Sequence, residues 1–177
     1  GILVSILTVY IKWFTYLPIE GTVIDAETKQ PIEGAVVLVE WTITPMAWLG
    51  MPTTTSYRVI ETMSDKNGKF KINAYVLNPI VDNPDLAIYK AGYVCWSDRA
   101  IFPDNKERKD FTWKDSNVYR LDRFDGYKYT YDAHVSFIRS SIKSSLNLEA
   151  KKNIYKAFEW ETNLAFEERM KKQDKIK

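Results

Sequence analysis

Residues 1–18, GILVSILTVYIKWFTYLP, form the longest apolar run in the chain and lead directly into a segment of short strands and turns with no such run of its own. Any fold must hide that surface in lipid, in its own core or in a neighbour. The polar side chains Ser5, Thr8, Lys12 and Thr15 recur at helical spacing, which at about 100° per residue sets them on one narrow stripe of a helix. The pattern predicts a hydrophobic N-terminal helix over residues 1–18, serving as a membrane anchor or docking on a partner. Tyr10, Trp13, Phe14 and Tyr16 crowd its C-terminal half, where an aromatic belt at a membrane surface would lie. A cleaved signal peptide fits less well, because Trp13 to Pro18 offers no small-residue cleavage site. Lys12 argues against a lone membrane helix, since a central charge costs roughly 2.5–3.5 kcal/mol on insertion. Snorkelling toward the nearer surface, or a carboxylate on a neighbouring helix, lowers that cost.

With 45% hydrophobic and 14% aromatic residues in 177, the chain has ample material for one packed domain with appendages. Its 25 basic and 23 acidic residues are mixed along the sequence, so no field points to a nucleic-acid partner. Basic pairs such as Lys151-Lys152 and Lys171-Lys172 read as solvated helix faces. His134 is the only histidine and Cys95 the only cysteine. Multi-histidine and cysteine-rich zinc sites and intrachain disulfides are thereby excluded. No catalytic residue, cofactor or metal site is expected. His134 reads as a surface or packing residue on an amphipathic helix, and Cys95 as a small buried hydrophobe on a strand.

From Ile19 to Phe124 short strands alternate with turn signals, the pattern of an all-β sandwich of about seven strands. Ala35 to Ile43 sets Val37, Val39 and Trp41 against Leu38 and Glu40, a strand buried on at least one face. Tyr57–Met63 and Phe70–Val76 flank Asp65-Lys66-Asn67-Gly68, whose Asn-Gly predicts a tight hairpin. Two connections are longer than turns require. The first carries Met46, Trp48, Leu49 and Met51 between prolines, and is either a contact patch for a partner or membrane or a flap over one end of the core. The second, Asp98 to Asn117, is dense in charge, with Phe111 and Trp113 as anchors and no regular calcium-ligand spacing.

After Phe124 helix formers dominate. Asp132 is the expected cap of a helix with Val135, Ile138, Ile142 and Leu146 on one face. A second helix is expected from about Leu148 to Lys172, apolar along Ile154, Tyr155, Phe158, Thr162, Ala165 and Phe166. Trp160 and Leu164 lie nearly opposite, a candidate partner-binding face.

The residues Gly21, Val23, Asp25, Thr28, Pro31, Ile32, Gly34, Ala35 and Val37 together resemble the opening motif of the carboxypeptidase regulatory-like domain, with Lys29 where a glycine is common. Ser64 to Phe70 is similar to that family's central hairpin, and Lys90-Ala91-Gly92-Tyr93 to its late turn. The resemblance covers residues 19 to about 97 well and the stretch to 124 loosely. It implies a transthyretin-like (prealbumin-like) seven-stranded sandwich over 19–124, between the hydrophobic segment 1–18 and a C-terminal helical extension, 125–177. The motif is a folding signature without chemistry, and enzymatic relatives of similar shape need several histidines.

The expected function is therefore a non-enzymatic protein of the bacterial cell envelope. Residues 1–18 would anchor it to a membrane, hold the sandwich on the periplasmic or extracellular side, and let it contact other envelope proteins as an accessory subunit. Two alternatives remain: a structural subunit of a filament or large complex, its apolar segment buried in a neighbour; and a carbohydrate- or peptide-binding module using Trp48, Trp113 and Tyr57 as stacking platforms.

Overall fold

The computed structural model describes residues 14–43, 54–77, 84–114, 116–143 and 147–174. Two sheets face each other. The first has order β4-β1-β9, built from β4 (Lys69–Leu77), β1 (Phe14–Asp25) and β9 (Asn117–Leu121). The second has order β3-β2-β5-β6, from β3 (Thr55–Met63), β2 (Val36–Ile43), β5 (Asp85–Tyr89) and β6 (Trp96–Ser97). A small ribbon pairs β7 (Ala100–Ile101) with β8 (Lys106–Glu107). Helices α1 (Tyr131–Ser141) and α2 (Lys152–Asp174), the latter entered through a 3-10 turn at Leu148–Lys151, complete the chain.

Strand alternation explains the layering. Val37, Val39 and Trp41 of β2, with Leu86 and Ile88 of β5, point into the space between the sheets and meet Ile19, Val23, Phe70, Ile72, Tyr119 and Leu121. The alternate residues Val36, Leu38, Ala87 and Tyr89 point the other way, onto Val135, Phe137, Ile138, Ile142, Ile154, Phe158 and Ala165 of the helical segment. Each such aliphatic side chain removed from water contributes roughly 1.5–3 kcal/mol. β2 is thus covered on both faces, and the helices form a third layer.

The expected N-terminal helix is corrected where it can be seen. Residues 14–18 are extended and belong to β1, with Phe14 opposite Leu77, Thr15 opposite Val76 and Pro18 opposite Asn73. The aromatic and β-branched residues there favour a strand. Pro18 is tolerated because β9 joins the other side of β1 only from Gly21 onward. Residues 1–13, with Ser5, Thr8, Lys12 and Trp13, lie outside the described residues. No described helix is long and apolar enough to cross a membrane.

The Asp65–Gly68 turn is real, but the hairpin expected from it is not. β3 pairs with β2, and β4 pairs with β1 in the other sheet, so the turn is a corner between layers. Asp65 Oδ1 accepts the Asn67 and Lys69 N–H groups, each at 2.8 Å, and of these turn residues only Gly68 has positive φ, +72°. A side chain at Gly68 would also run into the Val23 carbonyl, which already binds Ile32 N–H beside it. Gly21 is demanded by contact instead: a Cβ there would strike the Tyr119 ring across the β1–β9 pair.

Carboxylates from neighbouring elements cap both helices. Thr130, not Asp132, is the N-cap of α1 and accepts from Ala133 N–H at 3.2 Å. Glu168 of α2 takes the Tyr131 and Asp132 N–H groups at 3.1 and 3.0 Å, which frees Asp132 to pair with Arg169. Glu61 of β3 accepts the Asn153 and Ile154 N–H groups that open α2, both at 2.9 Å. Each contact satisfies orphan donors and sets negative charge at the positive helix end.

Candidate functional site

The side chains with the most chemical potential meet in the wall between the second sheet and the helices. His134 on α1 is fully buried, its Nε2 accepting the Cys95 backbone N–H at 2.9 Å. With Nε2 occupied as an acceptor, the neutral ring carries its proton on Nδ1, which faces Glu161 Oε2 at 2.6 Å. The other Glu161 oxygen accepts from the Tyr89 hydroxyl at 2.8 Å. Burial and the Glu161 charge push both the Tyr89 hydroxyl and the Cys95 thiol above their ordinary ranges. It is the Cys95 backbone, not its thiol, that meets the His134 ring, and the thiol lies against the Trp96 carbonyl at 3.7 Å, an arrangement unlike an activated thiolate–imidazole pair. Phe124 stacks on His134 at 4.7 Å and Phe102 closes it edge-on at 5.2 Å. This network joins β5, α1 and α2, and Tyr89, His134 and Glu161 are all fully buried.

A second buried site lies at the other end of the same wall. Lys151 is fully buried, so the reading of Lys151-Lys152 as a solvated pair is wrong for Lys151. Its ammonium reaches Glu40 of β2 at 2.8 Å and the carbonyls of Ile142 and Lys143 at 2.7 and 3.1 Å. One lysine thus closes the C-terminal end of α1 and neutralises a buried carboxylate. Desolvation lowers its pKa, against the pull of Glu40.

At the pole of the sandwich near the Gly68 corner, Asp25 gathers the motif residues. Its Oδ1 accepts from Glu27 and Thr28 N–H, and its Oδ2 from the Tyr93 hydroxyl at 3.0 Å and Arg123 Nε at 2.9 Å. The Thr28 and Glu27 amides, with Tyr93 and Arg123, outweigh burial and hold this carboxyl far below the usual range. Two of the three stretches that carry the family resemblance, around Asp25 and around Tyr93, are therefore joined by one carboxylate.

The described surface opens at the edge where β6 and β9 end their sheets. A cleft of about 700 Å³ there is lined by Trp96, Phe111, Asn117, Val118, Tyr119 and Arg120, among others. Trp96 is the floor: Tyr119 and Phe111 meet it edge-on at 4.9 and 5.2 Å, and Arg108 lies over its ring at 4.6 Å. Phe111 anchors the charged loop as expected, and Trp113 packs on Phe111 while staying partly exposed. Among the described residues the buried Tyr119 hydroxyl and Asn117 Nδ2 find no hydrogen-bond partner. Burial raises the Tyr119 pKa to about 12 against the Asn117 amide beside it, so the hydroxyl stays protonated.

No family model and no curated protein matches this chain. Among solved structures it is similar to the shaft pilin SpaA of Lactobacillus rhamnosus GG at 15% identity, covering 63% of this chain and 47% of that one with a TM-score of 0.34. It is also similar to the group B streptococcus pilus 2b backbone protein, at 13% identity, 63% and 43% coverage and a TM-score of 0.34. A third similarity is to 3-chlorocatechol 1,2-dioxygenase of Rhodococcus opacus, at 16% identity, 62% and 60% coverage and a TM-score of 0.39. The chain spans less than half the length of either pilus protein. The observed pair of sheets is compatible with a transthyretin-like sandwich.

The expected site residues fare unevenly. Met46, Trp48, Leu49 and Met51 lie outside the described residues, as do Ser5, Thr8, Lys12 and Trp13. Thr15 is in β1 and not on a helical stripe. Trp160 is partly exposed and meets Tyr131 edge-on at 5.8 Å, and Leu164 is half-buried. The sugar-platform trio does not assemble from its described members: Tyr57 is on β3 and Trp113 packs near β6, at opposite edges of one sheet. Among the described residues no three His, Cys, Asp or Glu side chains gather as a metal site. Glu161 was missed, although its position was a signal: it shares a helical face with Ile154, Phe158 and Ala165, all buried. A lone acid in an apolar stripe needs a buried partner.

Proposed function

We propose that this chain is a non-enzymatic structural subunit of a bacterial envelope assembly, with its apolar N-terminal run buried in a neighbouring protein. The observation that carries this reading is β1: the apolar run passes into a strand at Phe14. The described part of the run is sheet, a form that adds readily to another sheet and not to lipid unless it closes a barrel. The closed Tyr89–Glu161–His134 network supports the absence of catalysis, since the only histidine is committed to structure.

A second reading, the membrane-anchored accessory protein with its sandwich on the periplasmic or extracellular side, is favoured by the geometry of strand ends. Phe14 lies opposite Leu77, Ile43 opposite Thr55, and Glu40 opposite Asp85. These ends share the pole away from the Gly68 corner and border residues 1–13, 44–53 and 78–83. Two of these stretches, 1–13 and 44–53, are rich in apolar residues, as a lipid-facing segment would require.

Fractionation of cells expressing the full chain separates the two. Release by carbonate in large particles supports the assembly subunit. A carbonate-resistant band, cut by protease from outside intact spheroplasts, supports the anchor and removes the first reading.

A further inference from the structure

The helical layer leaves one face of α2 uncovered. Tyr155, Glu159, Thr162, Phe166 and Met170 recur at helical spacing and share a stripe along the helix. Phe166 is 59% exposed and Met170 44%, and Leu148, at the turn that enters α2, is 55% exposed. Leu148, Tyr155, Phe158 and Thr162 floor a groove of about 580 Å³, rimmed by Arg139 of α1 and by Lys152, Lys156 and Glu159. This is not the side of Trp160 and Leu164, where Tyr131 already meets the Trp160 ring. Single exposed apolar residues are ordinary on a surface, whereas a stripe of them marks a contact face.

The charges on this face are of both signs and unspent. Arg139, Lys156, Glu159 and Glu167 are all exposed, and none has an ion-pair partner among the described residues. Their neighbours are already engaged: Lys152 with Glu149, Arg169 with Asp132, and Glu168 with the first amides of α1. An anionic lipid surface would suit Arg139 and Lys156 but repel Glu159 and Glu167. A surface carrying the same mixture in reverse order suits all four.

We infer that the open face of α2 pairs with the same face of a second copy of this chain, antiparallel about a two-fold axis that passes between Glu159 and Thr162. Tyr155 and Phe166 stand equally far from that axis along the helix, so each covers the other's counterpart in the second copy. Glu159 likewise comes opposite Thr162 of the second copy, where Arg139 rims the same groove. Lys156 falls within about 3 Å, measured along the helix, of Glu167 of the second copy. The register that buries the aromatic pair therefore gives every unspent charge an opposite one, as a self-complementary contact requires. One helix against one helix is a small interface, so pairing depends on concentration. The inference stands apart from the envelope reading, because a closed pair leaves every other surface free for further contacts.

Hydroxyl-radical footprinting of the full chain reads this face directly, with labelling of Phe166 and Met170 followed across a concentration series. The native chain, Arg139→Glu and Glu159→Arg are compared with an equal mixture of the two variants. Both substituted side chains are exposed, and circular dichroism checks that each variant folds. In a pair with itself, Arg139→Glu crowds acids about the axis and Glu159→Arg crowds cations, whereas the mixture restores an Arg–Glu pair on each side. The expected result is labelling slowed roughly fivefold as native concentration rises, fast labelling in either variant alone, and slow labelling regained in the mixture. Native labelling that stays fast at every concentration overturns the inference. So does slow labelling that persists in either variant alone or that mixing fails to restore, because a different occupant then covers the face. The readout is confined to α2, so association through the N-terminal run leaves it unchanged and the envelope reading stands or falls separately.

Discussion

Glu161 Oε2 lies 2.6 Å from His134 Nδ1 inside a wall where both side chains are fully buried. The pair holds α2 to α1, and through the Tyr89 hydroxyl and the Cys95 amide it also holds both helices to the second sheet. His134→Phe keeps the ring volume while stranding Glu161 and the Cys95 N–H. The expected loss is about 3 kcal/mol in urea unfolding, the magnitude typical of leaving a buried charge unpaired. A loss below about 1 kcal/mol would mean the wall is held by its apolar contacts alone.

Lys151 and Glu40 make a sharper case, because their coupling can be isolated. Lys151→Met alone leaves Glu40 buried without its cation and should cost roughly 3–5 kcal/mol. Adding Glu40→Leu should restore most of that, since an apolar pair of similar volume replaces two desolvated ions. Additive losses in the double variant would show that the two residues act separately.

Asp25 contributes stability that depends on pH. Its folded pKa lies below the unfolded value, chiefly through the Thr28 amide, so its contribution is complete above the unfolded carboxylate range and is lost as pH falls toward the folded value. Asp25→Asn should therefore be less stable than the native chain at pH 6, with the gap closing below pH 4. Thermal melts of both proteins across that range measure the gap. A gap constant with pH would assign the loss to packing.

Asp98 has the opposite sign. Burial, aided by nearby Asp85, raises its pKa to about 6, although its Oδ1 accepts the Leu86 N–H at 3.0 Å. The folded state prefers the protonated acid, so stability falls as pH rises from about 4 to about 6 and stays lower above. Asp98→Asn keeps the acceptor without the charge. It should raise stability by about 1 kcal/mol at pH 7 and by much less at pH 4. Equal effects at both pH values would remove the charge from the explanation.

Periodicity made the strands and both helices legible, because a repeat of two or of 3.6 records which face meets a core. It could not record how many faces do. β2 reads as a strand either way, and only the arrival of Ile138, Ile154 and Phe158 on its far side explains why Leu38 is as buried as Val39. Turn chemistry was equally local: Asp65 and Gly68 specify a reversal of direction but not which sheet the next strand joins. Thr15 misled because helical spacing of four polar residues is a weak pattern beside the demand of the β4 backbone for a partner. Lys151 misled because charge pairs usually face water, and the acid that draws it inward, Glu40, is more than a hundred residues away in sequence. The motif stretches around Asp25 and Tyr93 could be recognised separately, whereas the bond between them could not.

The parallel pairing of β1 with β9 has a consequence for how the chain is made. Its first described strand cannot complete its sheet until Asn117–Leu121 has emerged from the ribosome, after every other strand of both sheets. During that interval the upper half of β1 waits with one flank bare, and closure must bring together residues from opposite ends of the sandwich, a slow step by its loop-closure entropy. The nascent protein is most open to wrong partners just before it is finished, so a chain stalled ahead of Asn117 should associate more readily than one released after Leu121.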